Sequence, residues 1–231
     1  MATPTRFTGG IGTATKSSNT GFYGMPDPTK WITYFNDFHT YVAGDWTITT
    51  TEAGSGNASE ALTNVQGGCL LITNDDADND ADFFNSTVES FKFASGKKTF
   101  FKSRFKVSDA TQSDFVMGLQ ITDTTPLAVS DGVYFMKDDG DASLDFHVEK
   151  DGSDTTASAI ATVADDTFLI VGLYYDGKSA IEYYVDDVKL GTSVTTNLPD
   201  DEELAISFGI QNGAAAAKTM TVDYIFASQE R

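Results

Sequence analysis

The sequence predicts an all-β protein, a two-sheet antiparallel sandwich preceded by an extended N-terminal arm. Short runs of alternating apolar and polar residues recur along the 231-residue chain, and this is the period of a strand with one buried face. Turn residues interrupt these runs about every 8–12 residues, and no convincing amphipathic helix separates them. Residues 1–30 lack this period and are rich in glycine, serine, threonine and proline.

These observations divide the chain into an arm, residues 1–30, and one sandwich domain, residues 31–231. A chain of this length can bury a sizeable core as a single domain. The arm is either a solvated tail or an element that orders against a neighbouring subunit. In the second case its basic and aromatic side chains are the expected partner contacts, namely Arg6, Phe7, Lys16, Phe22 and Tyr23.

The stretch Ser179–Thr192, SAIEYYVDDVKLGT, predicts a β-hairpin. Its residues alternate between two faces, Asp186-Asp187 supplies turn chemistry, and the alternation then resumes until Gly191. The preceding run Thr167–Gly177 is apolar at both parities, which predicts a central strand covered on both faces. A single helical turn is expected near Pro199–Glu203, and Cys69 is expected to be a small buried hydrophobe.

Three segments resemble concanavalin A-like domains, the superfamily of laminin G domains, lectins and glucanases. Lys97–Val107 followed by Phe115–Leu119 is similar to a strand pair of these jelly rolls. The hairpin resembles the strand, Asp turn, strand and Gly-Thr element of laminin G-type domains, and Thr221–Gln229 resembles the terminal strand. The resemblance covers about Trp31–Gln229 and implies a two-sheet jelly roll of the concanavalin A-like type.

The chain as a whole resembles structural proteins of marine T7-like phages in its Gly/Thr/Ser arm, acidic lectin-like body and missing secretion signal. This resemblance implies a non-enzymatic capsid decoration or cement protein that binds the outer shell and stabilises it. The expected partners are the major capsid protein or other copies of the chain, with a host surface glycan as a further candidate. The expected location is the capsid surface, after synthesis in the host cytoplasm without a signal peptide. The alternative is a carbohydrate-binding module on a virion surface or tail fibre.

The charge of the chain argues against two classes of partner. Fifteen basic residues against 34 acidic ones give a net charge of −19 and a pI near 4.2. A field of this sign repels phosphate backbones and anionic lipid, so we expect neither nucleic-acid nor membrane binding. No run of apolar residues is long enough for a membrane span, and no cofactor is expected.

Glycosidase chemistry requires two carboxylates that face one cleft, about 5–9.5 Å apart. The glucanase resemblance implies the pattern Glu-x-Asp-x-x-Glu, which this chain lacks. The best acid–base face is formed by Asp145, His147 and Glu149 on one strand, but strand alternation often produces such a face. We therefore predict no catalytic residues. Sugar binding would instead use exposed aromatic residues beside Asp and Asn side chains, such as Trp31, Trp46, Tyr174 and Tyr184.

An acidic loop, Asn74–Phe83, contains four aspartates at alternate positions, Asp76, Asp78, Asp80 and Asp82. Their oxygens could point at one hard cation, as in calcium loops. The EF-hand frame fails, because Phe83 stands where glycine is required. Two interpretations remain: a looser Ca²⁺ site, or a solvated loop without metal.

The strand predicted for Lys97–Val107 has a basic face. Phe101, Phe105 and Val107 fall on one parity, and the opposite parity carries Lys98, Lys102, Arg104 and Lys106. We call these four residues the basic stripe. They either pair with acids on adjacent strands or form a contact for an acidic partner or another copy of the chain.

Overall fold

The computed structural model describes residues 28–231, and the chain before Pro28 lies outside it. The described residues form fifteen strands and two short 3-10 turns, Ala43–Asp45 and Pro126–Ala128. The strands are β1 Trp31–Asn36, β2 Trp46–Thr51, β3 Ser59–Leu62, β4 Leu70–Thr73, β5 Ala81–Ser86, β6 Thr99–Val107, β7 Ser113–Gln120, β8 Gly132–Lys137, β9 Ser143–Lys150, β10 Ser153–Thr162, β11 Leu169–Tyr175, β12 Ala180–Val185, β13 Val188–Val194, β14 Ala205–Asn212 and β15 Thr219–Glu230.

The strands form two antiparallel sheets, as the sequence predicts. The first sheet has the order β13-β12-β11-β6-β15-β4-β3, and β1 also pairs with β15. The second sheet has the order β10-β9-β8-β7-β14-β5-β2. The all-β jelly-roll prediction is confirmed. Within residues 28–231, no helix has the length and apolar character needed to cross a membrane.

Aromatic side chains fill the space between the two sheets. Phe208 lies fully buried against Phe84 in a stacked pair, with ring centroids 5.0 Å apart, and Trp46 meets its ring edge-on at the same distance. Phe105 of the first sheet contacts Phe115 of the second at 5.2 Å. Because buried rings remove large apolar areas from water, this core fixes how the sheets face one another.

The predicted hairpin is confirmed as β12 and β13, joined by Asp186 and Asp187. Both turn residues have positive φ, 50° and 64°. A two-residue hairpin loop needs this conformation for its twist to match that of the two strands. Aspartate tolerates this conformation better than most residues. The Asp186 carboxylate also accepts a hydrogen bond from the Ile170 N–H at 3.0 Å, which ties the turn to β11.

Two local predictions are wrong. Residues 199–203 contain no helical turn, because this connection runs as irregular chain into β14. The strand β11 is central, between β6 and β12, but within residues 28–231 only one of its faces is covered. On its outer face Ile170 and Tyr174 are half-buried. Its outward apolar residues therefore belong to the protein surface rather than to a second core.

Candidate functional site

The outer faces of the two sheets differ in how far they are covered. On the outer face of the second sheet, Phe83, Val116 and Tyr134 are buried beneath apolar side chains of the segment around the second 3-10 turn, Leu127 and Val129. The outer face of the first sheet has an open depression at its centre. The first sheet therefore offers the more accessible surface for a ligand.

This depression, here called the aromatic groove, has a volume of about 320 Å³. Its apolar part comes from four neighbouring strands, and its polar part lies at the hairpin side. The side chains and the one glycine that line it are Phe100, Lys102, Ile170, Gly172, Tyr174, Glu182, Tyr184, Asp187 and Phe226. Alternation along each strand directs these residues outward while their neighbours enter the core.

Gly172 forms the floor of the aromatic groove. In the sheet register it lies between Lys102 on β6 and Tyr184 on β12, so the missing side chain leaves a gap between two long ones. A Cβ at this position would lie 3.4 Å from the nearest atom, the carbonyl oxygen of Phe101, which is an ordinary contact. Since the backbone does not require glycine for steric reasons, its main consequence is an open floor.

Aromatic rings form one wall of the groove. Phe100 stacks on Tyr174 with centroids 4.6 Å apart and an angle of 28° between the rings, and Trp31 of β1 contacts Phe100 at 5.9 Å. Of the aromatic residues considered for sugar binding, Trp31, Tyr174 and Tyr184 thus lie on one face. Trp46 does not, because it is buried in the core.

The opposite rim is charged. Lys102 forms an ion pair with Asp187, while Glu182 accepts hydrogen bonds from Tyr184 and, at 2.6 Å, from Lys189. The bond from Lys189 lowers the pKa of Glu182, so this carboxylate is ionised at neutral pH. The bond to Glu182 in turn raises the pKa of Tyr184 to about 12, which keeps its hydroxyl protonated. The rim therefore presents both hydrogen-bond donors and acceptors.

A second depression of about 480 Å³, here called the basic pocket, lies on the same face. Arg104 and Lys106 line it, and the Arg104 guanidinium lies 3.8 Å from the centroid of the Phe168 ring. Arg104 pairs with Asp223, and Lys106 pairs with Asp166 at 2.9 Å. The expected burial of Cys69 is confirmed at the edge of this pocket, and burial raises the pKa of its thiol.

These contacts place most of the basic stripe beside acids. Lys102, Arg104 and Lys106 point outward from β6 and each has a carboxylate partner, whereas Lys98 is exposed just before the strand begins. The predicted contact residues of the arm lie outside the described residues, namely Arg6, Phe7, Lys16, Phe22 and Tyr23. Their role as partner contacts stays a prediction, as does that of the stripe.

The acid–base face of β9 joins a hydrogen-bonded cluster on the second sheet. Glu149 accepts a bond from the Tyr134 hydroxyl at 2.8 Å, and His147 Nδ1 lies 2.8 Å from an Asp154 oxygen. The His147 ring also stacks on Tyr134, with centroids 5.1 Å apart. Burial, followed by the charge of Asp154, raises the pKa of Glu149. The third member predicted from the sequence, Asp145, instead accepts a bond from the Ala159 N–H at 2.6 Å.

The acidic loop does not bring its four aspartates together. Asp76 and Asp78 are exposed, whereas Asp80 is buried and accepts bonds from the Ala53 and Ala77 N–H groups at 2.6 and 3.0 Å. In the part of the chain that the structure describes, no group of three or more His, Cys, Asp or Glu side chains could hold a metal ion. Asp80 therefore serves as a hydrogen-bond acceptor that holds this loop against the segment at Ala53.

The buried carboxyl group of Asp82 makes the stability of the fold depend on pH. Its carboxylate accepts a bond from Thr50 at 2.7 Å, and its second oxygen is buried and has no hydrogen-bond partner among residues 28–231. Burial raises its pKa to about 7, and the negative charges of Glu60 and Glu52 add to the effect. A raised pKa stabilises the fold below the unfolded value of about 4, and this contribution is lost as the pH rises through about 7.

We expect Asp82→Asn to raise the melting temperature at pH 8 by about 5 °C, because it removes a buried charge, and to leave it almost unchanged at pH 4. Thermal unfolding followed by circular dichroism across this pH range measures the difference. Asp78→Asn, an exposed change in the same loop, is the matched control and should have no effect. Equal melting temperatures of wild type and Asp82→Asn at pH 8 would contradict the assigned burial cost.

Comparison with known proteins bears on the fold. No protein-family model matches the chain, and no curated protein matches its sequence. Solved structures do match. A glycoside hydrolase family 16 endo-glucanase from Bacteroides ovatus has a TM-score of 0.61 and 14% identity, over 84% of this chain and 99% of its own.

Two other solved structures have the same architecture. An endo-β-1,4-glucuronan lyase from Trichoderma reesei has a TM-score of 0.56 and 12% identity, over 84% of this chain and 94% of its own. The carbohydrate recognition domain of Emp46p has a TM-score of 0.57 and 9% identity, over 83% of this chain and 94% of its own. At these identities the likeness concerns the fold alone, a two-sheet jelly-roll β-sandwich.

The interpretation as a capsid decoration protein is wrong. The structural neighbours are mostly glycoside hydrolases and a lyase, together with lectin-type domains, and they do not support a phage structural role. An arm rich in small residues and an acidic body are features of composition, which many unrelated surfaces share, so they carried no specific information. The expected capsid partners and virion location rest on the same resemblance and stay untested predictions.

Proposed function

We propose that the protein is a glycan-binding module that holds an oligosaccharide in the aromatic groove without cleaving it. The observation that carries the proposal is a groove with stacked rings on one wall, a glycine floor and a charged rim. The structural neighbours of the protein include glucanases and a carbohydrate recognition domain, so β-linked glucans are the first ligands to test.

The chemistry of a sugar ring matches this arrangement. A pyranose presents a face of C–H groups that packs on an aromatic ring, and hydroxyl groups around its edge that need donors and acceptors. Phe100 and Tyr174 supply rings, whereas Glu182, Asp187 and Lys102 supply charged partners, whose hydrogen bonds are stronger than neutral ones. Ligand sites commonly combine an apolar lining with a few placed polar groups in this way.

The contacts of three carboxylates support binding without hydrolysis. In the groove, Glu182 is held by Lys189 and Tyr184 and has a lowered pKa, so it is a poor general acid. On the second sheet, Glu149 has the raised pKa that a general acid needs, but its hydrogen bond to Tyr134 engages it within the protein. Asp154 is likewise engaged by His147.

We expect Tyr174→Ala to weaken glycan binding about 30-fold, since removal of a central aromatic contact commonly costs about 2 kcal/mol. Isothermal titration of the protein with cellohexaose and laminarihexaose measures the change. Phe35→Ala, which removes an exposed ring outside the groove lining, is the control and should bind like the wild type.

Two results would contradict the proposal. Equal affinity of Tyr174→Ala and wild type would exclude the aromatic groove as the binding site. Release of reducing sugar from a β-glucan, lost in Glu149→Gln, would show that the protein is an enzyme and that its chemistry lies on the second sheet.

A further inference from the structure

The basic pocket has more cationic than anionic side chains in its lining. Two cationic side chains, Arg104 and Lys106, line it together with one carboxylate, Asp223, while a second carboxylate, Asp166, pairs with Lys106 from outside the lining. The lining of the aromatic groove has one cation, Lys102, and two carboxylates, Glu182 and Asp187, and Glu182 is also paired with Lys189. The linings therefore differ in sign, and the ion pairs at their edges decide which charges a ligand can reach.

The two depressions lie end to end along β6. Lys102 lines the aromatic groove, whereas Arg104 and Lys106 line the basic pocket, and all three alternate on the outer face of one strand. Successive outward residues of a strand are about 6.6 Å apart, so Lys102 and Lys106 are separated by about 13 Å. An extended oligosaccharide lying along β6 would reach both depressions.

The basic side chains are placed to bind an anion. The Phe168 ring under the Arg104 guanidinium holds its plane, and the bond to Asp223 uses one of its terminal nitrogens. An arginine held in this way presents its remaining donors in a fixed fork, which suits carboxylate and sulfate oxygens.

Lys106 is held less firmly than Arg104. Its partner Asp166 has a side chain that is 69% exposed, whereas that of Asp223 is only 16% exposed. Exposed ion pairs contribute little stability, so Lys106 can exchange Asp166 for a ligand anion at small cost.

We propose that the basic pocket binds a single acidic substituent, a carboxylate or a sulfate ester, on a glycan whose neutral part occupies the aromatic groove. This inference rests on the proposed function and specifies its ligand class. A glycan with an acid on every unit is disfavoured, because Glu182 and Asp187 would repel the charges that enter the groove.

The test compares ligands that differ only in charge. The full-length protein is titrated at 50 mM NaCl with cellohexaose, with cellohexaose carrying one terminal carboxylate, and with cellohexaose carrying one terminal sulfate ester. We expect at least one singly charged ligand to bind about 10-fold tighter than cellohexaose, and the difference to vanish at 500 mM NaCl. The charged ligand that binds more tightly identifies the acidic group that the pocket prefers.

Two variants locate the effect. Lys106→Gln, and Arg104→Gln combined with Asp223→Asn so that no charge is left half-buried, should each remove the preference and leave cellohexaose binding within 2-fold of wild type. Lys150→Gln is the matched control. Lys150 lies on the second sheet, and it is likewise paired with acids, Asp200 and Asp201. If the double variant fails to fold, Lys106→Gln alone decides the test.

The possible failures are distinguishable. Equal affinity for charged and neutral ligands, or variants that weaken both equally, would overturn the acidic subsite and leave glycan binding intact. Tight binding of poly-glutamate that competes with the charged sugar would overturn it in favour of an acidic protein partner. Absence of binding to all three sugars would overturn the proposed function together with this inference.

Discussion

Gly172→Leu is expected to abolish glycan binding, with a loss of at least about 100-fold in affinity, or about 2.7 kcal/mol. The leucine side chain would rise from the floor of the aromatic groove between Lys102 and Tyr184 and occupy the space of the sugar. The fold should tolerate the change, since a Cβ fits here without a close contact. Strand glycines also cost about 0.5–1 kcal/mol relative to alanine, which offsets part of the cost of placing a leucine at this buried position.

Calorimetric titration with the hexaoses measures this loss, and thermal unfolding checks the fold. Thr47→Leu places the same side chain on an exposed strand position of the second sheet and serves as control. Gly172→Ala should have a smaller effect than leucine, because it fills less of the groove. Undiminished binding by a folded Gly172→Leu protein would show that the ligand binds elsewhere.

Phe208→Ala is expected to lower the free energy of unfolding by about 4 kcal/mol, the largest stability effect of the changes considered. Its ring is fully buried on β14 and contacts both Phe84 and Trp46 at 5.0 Å, so its removal leaves a cavity that neighbouring strands cannot close. Urea unfolding followed by fluorescence measures the change.

The matched control for Phe208→Ala is Phe35→Ala on the surface. The Phe35 ring is 59% exposed, so its removal should cost less than about 1 kcal/mol. Similar losses in the two variants would contradict the described core.

Local pattern was sufficient to predict the strands and the hairpin turn. Alternation in β6 separated Phe101 and Phe105, which are buried, from the outward basic residues, and Asp186-Asp187 marked a turn that the backbone confirms. These features depend on residues close in sequence. The prediction of a helical turn near Pro199 was wrong. It rested on local composition alone, and no apolar period of helical length follows there.

The candidate site could be predicted only in part, because it depends on which strands become neighbours. The apolar outer face of β11 was visible in the sequence, but only the pairing with β6 and β12 shows that Gly172 separates Lys102 from Tyr184. Likewise, Asp154 became a partner of His147 through the β9–β10 register. Sequence distance gives no measure of such cross-strand contacts.

The most direct test of the central claim, glycan binding in the aromatic groove, is an NMR titration of protein carrying ¹³C-labelled phenylalanine and tyrosine rings. Cellohexaose and laminarihexaose are added to the full-length chain. We predict shifts confined to the rings that line the groove, those of Phe100, Tyr174, Tyr184 and Phe226, with Tyr134 on the second sheet unchanged. Shifts centred on Tyr134, or no shift with either sugar at millimolar concentration, would contradict the claim.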